Sequence, residues 1–321
     1  MVRDVCEFSI YFFNVHNLHE VTAVPDFLKK KIKMQSQLND HEIYLESFEL
    51  FLANSSEHQF IIEFIHTVLP DILARIGAGK NTLNMMGLGS GAGEIDLEIL
   101  EVLHEKHPDA KIKVEVVEPS YAMLNKYKTS LSKMPGFDYA TFSWNEMTAK
   151  DFENKLMKEN SDKKMHLINM IQMLYYVKDP EATLSFYRSL LHKGGKVLVI
   201  LLTDESAWAR LTKTFQNQLY KDGIVDTLTS GDIKSFLDSK KIPYQNYKLC
   251  SLLDITQCFI PGNEKGEQLL SSLTEIIDFG KNAPPELKKE VLDFLKNPEN
   301  YQEVNNRILF DCSTEALVID A

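Results

Sequence analysis

Hydrophobic and polar positions alternate along the middle of the chain in two rhythms. Short apolar runs rich in β-branched residues are separated by longer segments in which apolar positions recur every three or four residues. This pattern predicts strands at 83–88, 112–118, 138–144, 165–171 and 195–203, with helices at 94–106, 120–133, 148–158 and 180–192. Gly194 and Gly195 are expected to end the fourth helix before an apolar central strand. Such alternation is typical of a parallel sheet covered on both faces.

Further elements are predicted on either side of this alternation. Before it, the pattern YLESFELFL places Tyr44, Phe48 and Leu52 on one helical face, and a second helix runs from Glu57 towards Leu69. After it, the pattern predicts helices at 206–220 and 230–239, a strand at 244–252, helices at 266–279 and 285–295, and a last strand at 307–320. The insertion at 254–298 lies where folds of this type carry substrate lids.

Composition limits the class of protein. The chain has 321 residues, 44% apolar and 25% charged, without an internal repeat or a Gly/Ser-rich linker. We expect one elaborated domain at 37–321 after an N-terminal extension at 1–36, which is given no function. The net charge of −11 argues against nucleic acid or an anionic membrane as partner. The chain has four scattered cysteines, no leader-like start and no long apolar run, and this predicts a cytoplasmic protein. We expect it to be a monomer.

A glycine-rich turn is the first sign of chemistry. The stretch NMMGLGSGAGEIDLEIL joins an apolar strand to an amphipathic helix through Gly87, Gly89, Gly91 and Gly93. Glycines tolerate positive φ and expose backbone N–H groups, so a nucleotide-sized ligand can approach closely. A tight turn without a ligand is the structural alternative.

A carboxylate at the end of the next strand strengthens the nucleotide interpretation. Glu118 follows the run KIKVEVV, where ligands of doubly wound sheets bind, and it is the predicted ribose ligand. A nicotinamide or flavin dinucleotide is the rival, because Gly87, Gly89 and Ala92 satisfy a loose G-x-G-x-x-A. The long helical region before the motif and two antiparallel-looking runs near the C-terminus favour S-adenosylmethionine and a class I methyltransferase fold. That fold is α/β and Rossmann-like, with a mostly parallel seven-stranded sheet, a C-terminal antiparallel hairpin and helical lid insertions.

Six strings then resemble one family. They are NSSEHQF at 54–60, GSGAGEIDLEIL at 89–100, VVEPS at 116–120, MIQMLYYVKD at 170–179, CFIPGNEKG at 258–266 and NAPPEL at 282–287. They are similar to the histamine N-methyltransferase family and its histamine-methyltransferase-like branch, which includes enzymes that methylate carnosine. The resemblance covers about 41–321 and implies S-adenosylmethionine as cofactor and no metal.

The resemblance also implies functional residues. For the cofactor it implies Gly89 at the methionine end, beside Gly91 and Gly93, Glu118 on the ribose and Ile171 near the sulfur. Met123 and Ala149 stand where the family has a glutamine and a serine, and the loss of two polar contacts is expected to weaken binding without abolishing it. For the substrate, the retained residues are Glu57, Gln172, Tyr175 and Tyr176, with Glu57 and Gln172 as the catalytic pair. Each of these residues also has a purely structural alternative. Glu57 can be a carboxylate that stabilises the start of its helix, and the tyrosines can be core aromatics.

Departures from the family pattern share one direction. Leu38, Thr212, Thr227 and Ser272 each replace an aromatic residue, while Cys312 replaces a substrate-contacting asparagine and Val225 a cysteine. This loss of rings predicts a wider pocket in the substrate elements at 37–60, 204–240 and 254–298. The predicted reaction is N-methylation of an imidazole ring, with carnosine as the first substrate, histamine as the alternative and a catalytically weak paralogue as a second alternative. Arg210 and Lys213 are candidate partners for a substrate carboxylate.

Overall fold

The computed structural model describes residues 34–37, 40–219 and 227–321. Its strands are β1 (Thr82–Leu88), β2 (Lys111–Val117), β3 (Ala140–Asn145), β4 (Met165–Ile171), β5 (Leu191–Leu202), β6 (Tyr244–Leu249), β7 (Leu252–Asp254), β8 (Tyr301–Val304), β9 (Arg307–Asp311) and β10 (Thr314–Asp320). Its helices are α1 (His41–Asn54), α2 (Glu57–Thr67), α3 (Leu69–Leu73), α4 (Glu94–Lys106), α5 (Tyr121–Lys133), α6 (Ala149–Lys158), α7 (Pro180–Ser189), α8 (Ala207–Leu219), α9 (Ser230–Ser239), α10 (Glu264–Thr274), α11 (Phe279–Asn282) and α12 (Pro285–Leu295).

Within these ranges, a seven-stranded sheet has the order β3-β2-β1-β4-β5-β10-β6. Strands β1 to β5 are parallel, and β10 runs antiparallel between β5 and β6. Parallel neighbours require crossover helices, and the strand–helix alternation of the sequence supplies them. The predicted mostly parallel sheet with an antiparallel C-terminal part is therefore confirmed.

The sheet separates two hydrophobic cores. In β1, Leu83 and Met85 contribute to one core and Met86 and Leu88 to the other. This division follows from strand geometry, because successive side chains point to opposite faces. Helices α2 to α5 pack on the first face, and α6, α7 and α9 pack on the second. Both faces are covered, and most side chains of β1 and β4 are accordingly apolar.

A third core lies in the region where the sequence predicts the substrate elements. It joins α1, α8, α10 and α12 to a small antiparallel sheet with the order β7-β9-β8. The backbone of residues 35–37 pairs with residues 275–277 at the end of α10. Residues 1–33 lie outside the described residues, and the division into an extension and one domain stays a prediction.

Two details differ from the predicted elements. The single strand expected at 307–320 is divided into β9 and β10, because the Asp311 side chain accepts the backbone N–H and the hydroxyl of Ser313 and closes a local turn. Gly194 and Gly195 do not precede the strand but lie inside β5. The pairing between β4 and β5 shifts there, and a Cβ on Gly195 would lie 3.0 Å from the Met165 carbonyl oxygen. None of the helices in the described ranges combines the length and apolar composition that a bilayer-spanning segment requires.

Acid is expected to destabilise the fold through His166 in β4. The Asn84 backbone N–H donates to its Nδ1 at 3.0 Å, so the buried ring is neutral. Burial first, and then the nearby His192, Lys80 and His107, lower the pKa of His166 from 6.5 to about 4. Between these values the unfolded chain binds a proton that the folded chain excludes, so stability falls as the pH drops. Denaturant titration should show wild type losing about 2 kcal/mol more than His166→Asn between pH 7.5 and 5. An equal loss in the two proteins would contradict this.

Candidate active site

The glycine-rich turn between β1 and α4 is shaped by backbone conformation and by close packing. Gly89 and Gly91 have φ of +63° and +55°, which residues with a Cβ rarely adopt. A Cβ on Gly89 would lie 2.8 Å from Met173, whereas one on Gly91 would point into open space. Gly93 lies against the ring of Tyr127, 2.3 Å from where its Cβ would be. A side chain therefore does not fit at Gly89 or Gly93, whereas the turn leaves room beside Gly91.

Glu118 is held rigidly at the carboxyl end of β2. Its Oε2 accepts the backbone N–H of Gly91 at 2.9 Å, and its Oε1 accepts that of Ser120 at 2.8 Å. The side chain is 6% exposed. The carboxylate thus fixes the glycine turn to the start of α5, and its predicted contact with ribose hydroxyls stays a prediction.

A cavity of about 290 Å³, the larger cavity, lies between the glycine turn and the ends of β2 and β4. Of the predicted cofactor residues it is lined by Gly89, Gly91, Glu118, Met123, Ala149 and Ile171. Gly93 is not among the lining residues; its place against Tyr127 gives it a packing role instead. The larger cavity is also lined by four carboxylates, Glu57, Glu94, Asp96 and Glu118, and by no lysine or arginine among the residues described. This charge suits a cationic ligand.

A second cavity of about 110 Å³, the smaller cavity, lies under α1, α8 and α10. Of the predicted substrate residues it is lined by Glu57, Gln172, Tyr175, Tyr176, Thr212, Thr227 and Ser272. Four aromatic residues also line it: Tyr44, Phe48, Phe51 and Trp208. Leu38 and Val225 lie outside the described residues.

The two cavities share a wall. Five residues line both of them: Tyr44, Phe48, Glu57, Gln172 and Tyr176. A group carried by a ligand of the larger cavity can therefore meet a ligand of the smaller cavity only beside these side chains. The predicted pair Glu57 and Gln172 lies at this junction.

Three polar side chains form a hydrogen-bonded chain at the junction. Gln172 donates from Nε2 to Glu57 Oε2 at 2.9 Å, and the Tyr175 hydroxyl donates to Gln172 Oε1. Glu57 begins α2 and is 4% exposed. Burial raises the pKa of Glu57 from 4.5 to about 7, although the bond from Gln172 lowers it in part. Near neutral pH Glu57 can therefore either hold a cation or exchange a proton.

Gln172 has a strained backbone. We expect that a substitution which relieves the strain makes the protein more stable and less active. Its φ is +52°, in the left-handed region, at the residue that follows β4. Non-glycine residues there cost about 1–3 kcal/mol and cluster at functional sites. Gln172→Gly should keep or raise the melting temperature while it lowers kcat/KM, because it removes strain together with the amide. Gln172→Ala keeps the strain and serves as the control; a Gln172→Gly protein less stable than Gln172→Ala would contradict this explanation.

Three other predicted residues lie elsewhere than expected. Cys312 is fully buried behind the junction, with its Sγ 3.8 Å from Ser55 Oγ and 3.6 Å from Ser251 Oγ, and it does not line the smaller cavity. The guanidinium of Arg210 donates to the Glu299 carbonyl and to Asn300 Oδ1, away from the cavity. Lys213 is exposed and lies outside the cavity lining. The predicted cationic partner for a substrate carboxylate is therefore absent from the described lining.

Sequence reasoning missed several lining residues. Tyr44 and Phe48 had a signal, since their spacing puts them on one face of α1 within the predicted substrate element at 37–60, but neither was named as a lining residue. Trp208 lies one helical turn before Thr212 in the predicted substrate element at 204–240, so its place on the same helical face as Thr212 was a signal for a lining residue. Glu275 had none: it lines the smaller cavity from a left-handed residue that ends α10, and its Oε1 accepts the Tyr176 hydroxyl at 3.5 Å.

Comparisons with known proteins bear on the family and on the fold. A family model described as a methyltransferase domain matches residues 61–239. A histamine N-methyltransferase of Danio rerio is 54% identical over 283 residues, 88% of this chain and 97% of that protein. The histamine N-methyltransferase of Bos taurus is 40% identical over 288 residues, 90% and 99% of the two chains. A Bacillus halodurans protein provisionally described as a methyltransferase shares the fold, with a TM-score of 0.51 and 12% identity over 78% of this chain and 97% of that one.

Proposed function

The chain belongs to the histamine N-methyltransferase family and is an S-adenosylmethionine-dependent N-methyltransferase, and we propose that its methyl acceptor is the imidazole ring of histamine. The observation that carries the proposal is the junction of the two cavities at Glu57 and Gln172. A methyl donor in the larger cavity and an amine-bearing ring in the smaller one meet there.

The charge of the smaller cavity supports a small cationic substrate. Two glutamates line it, Glu57 and Glu275, and no lysine or arginine does so among the described residues. Histamine carries an ammonium and no carboxylate at neutral pH. Buried ammonium groups need an anionic or hydrogen-bonding partner, and Glu57 offers both.

Carnosine, the first expectation from the sequence, is not supported. Its carboxylate would enter a cavity lined by carboxylates, and both cationic candidates, Arg210 and Lys213, lie away from the lining. Thr212 and Ser272 do leave space where the family has rings, but Phe51 and Trp208 still wall the cavity and pack on each other with ring centroids 5.2 Å apart. The named relatives are also histamine enzymes.

The residues of the larger cavity fit S-adenosylmethionine. Glu118 accepts backbone N–H groups at the edge where ribose hydroxyls would bind, Gly91 leaves open space, and the lining carboxylates suit a positive sulfur. When bound, the cofactor supplies a methyl group activated by that charge. The main contribution of the protein is then to align the acceptor nitrogen with that methyl group in a water-poor site. In well-oriented systems such alignment lowers the activation barrier by about 7–11 kcal/mol.

The residues at the junction divide the remaining work. In our proposal Gln172 orients the neutral ring so that its lone pair faces the larger cavity, and Tyr175 and Tyr176 exclude water. Glu57 holds the substrate ammonium or the ring N–H. After transfer the ring carries an extra positive charge, and Glu57 is suited by its pKa of about 7 to accept the ring proton.

A competition assay tests the proposal. Purified protein is mixed with S-adenosylmethionine labelled in its methyl group and equal concentrations of histamine and carnosine, and the products are separated. We expect ring-methylated histamine to dominate. Dominant methylation of carnosine would overturn the choice of substrate. Binding of S-adenosylhomocysteine without transfer to either compound would indicate a catalytically weak paralogue, in keeping with Met123 and Ala149 in the cofactor site.

A further inference from the structure

One of the four carboxylates that line the larger cavity lies buried beneath the glycine turn and has been given no role of its own. Asp96 is 4% exposed, and its Oδ1 accepts a hydrogen bond from Asn169 Nδ2 at 3.2 Å. Asn169, in the middle of β4, is 1% exposed. Asp96 Oδ2 and Asn169 Oδ1 have no hydrogen-bond partner among the described residues. Buried polar atoms without partners are rare and call for an explanation.

The chain makes room for this carboxylate at a cost to the strand. Gly87 lies in β1, and a Cβ there would come within 2.1 Å of Asp96 Oδ2 and 2.4 Å of Ser90 Oγ. Glycine in a strand interior is unfavourable unless something approaches closely. The first glycine of the motif therefore serves Asp96 rather than a ligand.

Asp96 is ionised at neutral pH. Burial raises its pKa from 3.8 to about 6, against the lowering by the side chains of Ser90 and Asn169. It is the third residue of α4, where the helix dipole favours a negative charge. A buried charge is less screened by water and salt than an exposed one.

We propose that Asp96, held in place by Asn169, makes the larger cavity prefer S-adenosylmethionine, whose sulfur is positively charged, to S-adenosylhomocysteine, whose sulfur is neutral. Both residues line that cavity. The attraction acts through space and disappears when the methyl group leaves. The same residue that favours binding of the donor therefore favours release of the product.

The other carboxylates of the larger cavity are less suited to this role. Both oxygens of Glu118 accept backbone N–H groups. Glu57 accepts from Gln172 and, with a pKa of about 7, is partly protonated at neutral pH. Glu94 is exposed and is screened by solvent. Asp96 combines burial with a negative charge at neutral pH.

Calorimetry at pH 7.5 without acceptor tests the proposal. The ligands are S-adenosylhomocysteine, S-adenosylmethionine and sinefungin, which carries an ammonium in place of the sulfonium and transfers no methyl group. Asp96→Asn should raise the ratio of the Kd of sinefungin to the Kd of S-adenosylhomocysteine by about tenfold. This is the size expected when the attraction between one buried carboxylate and one ligand cation is lost at the effective permittivity of a protein. S-adenosylmethionine should follow sinefungin.

Two matched variants separate charge from packing. Asn169→Ala removes the hydrogen bond but keeps the charge, so the ratio should stay near that of wild type even if all affinities fall. The double variant with Asp96→Asn and Asn169→Asp moves the carboxylate across the same hydrogen bond and should restore the ratio.

Equal weakening of charged and neutral ligands by Asp96→Asn would overturn the proposal and give Asp96 a packing role. If Asp96→Asn does not fold, the double variant carries the test. A ratio of Kd values about tenfold above that of wild type in the double variant overturns the proposal. A ratio near that of wild type in both the double variant and Asn169→Ala supports it. No acceptor is present in these measurements, so their outcome is independent of whether histamine is the substrate.

Discussion

Glu57→Gln should remove most methyl transfer to histamine while it makes the folded protein more stable at pH 8. The loss of activity follows from the place of Glu57 at the junction, where it is 4% exposed and faces both cavities. Removing one partner of a buried, hydrogen-bonded charge pair costs about 2–5 kcal/mol. We therefore expect kcat/KM for histamine to fall by about 10²-fold or more. A larger effect on KM would assign Glu57 to binding, and a larger effect on kcat would assign it to chemistry.

The gain in stability follows from the raised pKa. The pKa of Glu57 is about 7 in the folded protein and 4.5 in the unfolded chain. Because the folded state holds its proton more tightly, Glu57 favours folding below pH 4.5, and this contribution is lost as the pH rises through 7. At pH 8 the ionised carboxylate thus destabilises the fold by up to ~3 kcal/mol. Glutamine removes this penalty and can still accept the bond from Gln172.

Denaturant titrations at pH 8 and 5, with assays at pH 8, check both effects. The stability gain should be under about 1 kcal/mol at pH 5, where wild type also keeps the proton. Glu49→Gln is the matched control, since Glu49 is exposed on α1 and pairs only with Lys126 among the described residues. It should change stability by under about 1 kcal/mol and leave activity intact. Wild-type kinetics in Glu57→Gln would return Glu57 to its role at the helix terminus.

Glu118→Gln should raise the Kd of S-adenosylhomocysteine by about 10²-fold, since each hydrogen bond to a charged group contributes about 1.5–3 kcal/mol. Both carboxylate oxygens accept backbone N–H groups, from Gly91 and Ser120. A glutamine offers only one oxygen, and its NH₂ group would face a backbone N–H. Two donors cannot form a hydrogen bond, so one of the two contacts is lost. The glycine turn then loses its anchor, and the ribose loses the ligand that the sequence predicts for it.

Glu115→Gln provides the control for the cofactor site. Glu115 lies on the same strand, pairs with Lys163 and accepts from Asn145, and it does not line the larger cavity. Calorimetry should find its affinity for S-adenosylhomocysteine close to that of wild type. Equal losses in the two variants would mean that the charge of the strand matters and not the hydrogen bonds of Glu118.

Much of the fold follows from local pattern. The five parallel strands and their helices are encoded by apolar periodicity, and the structure has them within a few residues of the predicted bounds. The break between β9 and β10 was missed, because it depends on one side-chain turn at Asp311 inside an otherwise continuous apolar run. The shift at Gly194 and Gly195 was also missed, because a glycine pair that ends a helix and one that allows a shift in strand pairing look alike in sequence.

The candidate site shows a similar division. Glu118, Gln172 and the glycine turn could be found because parallel strands bring their carboxyl ends together, so sequence position predicts spatial position. The lid does not follow such a rule. Glu275, itself the left-handed residue after α10, lines the smaller cavity, whereas Cys312, between β9 and β10, is buried and does not line it. The monomeric state and the cytoplasmic location stay predictions.

The most direct test of the central claim is the affinity of a bisubstrate compound, in which a ring nitrogen of histamine is joined by a short linker to the sulfur position of S-adenosylhomocysteine. If the two cavities meet at Glu57 and Gln172, this compound should bind about a hundredfold more tightly than S-adenosylhomocysteine, because the second contact becomes intramolecular. Most of that advantage should disappear in Glu57→Gln. A compound that binds no more tightly than S-adenosylhomocysteine, or equally well to both proteins, would contradict the account.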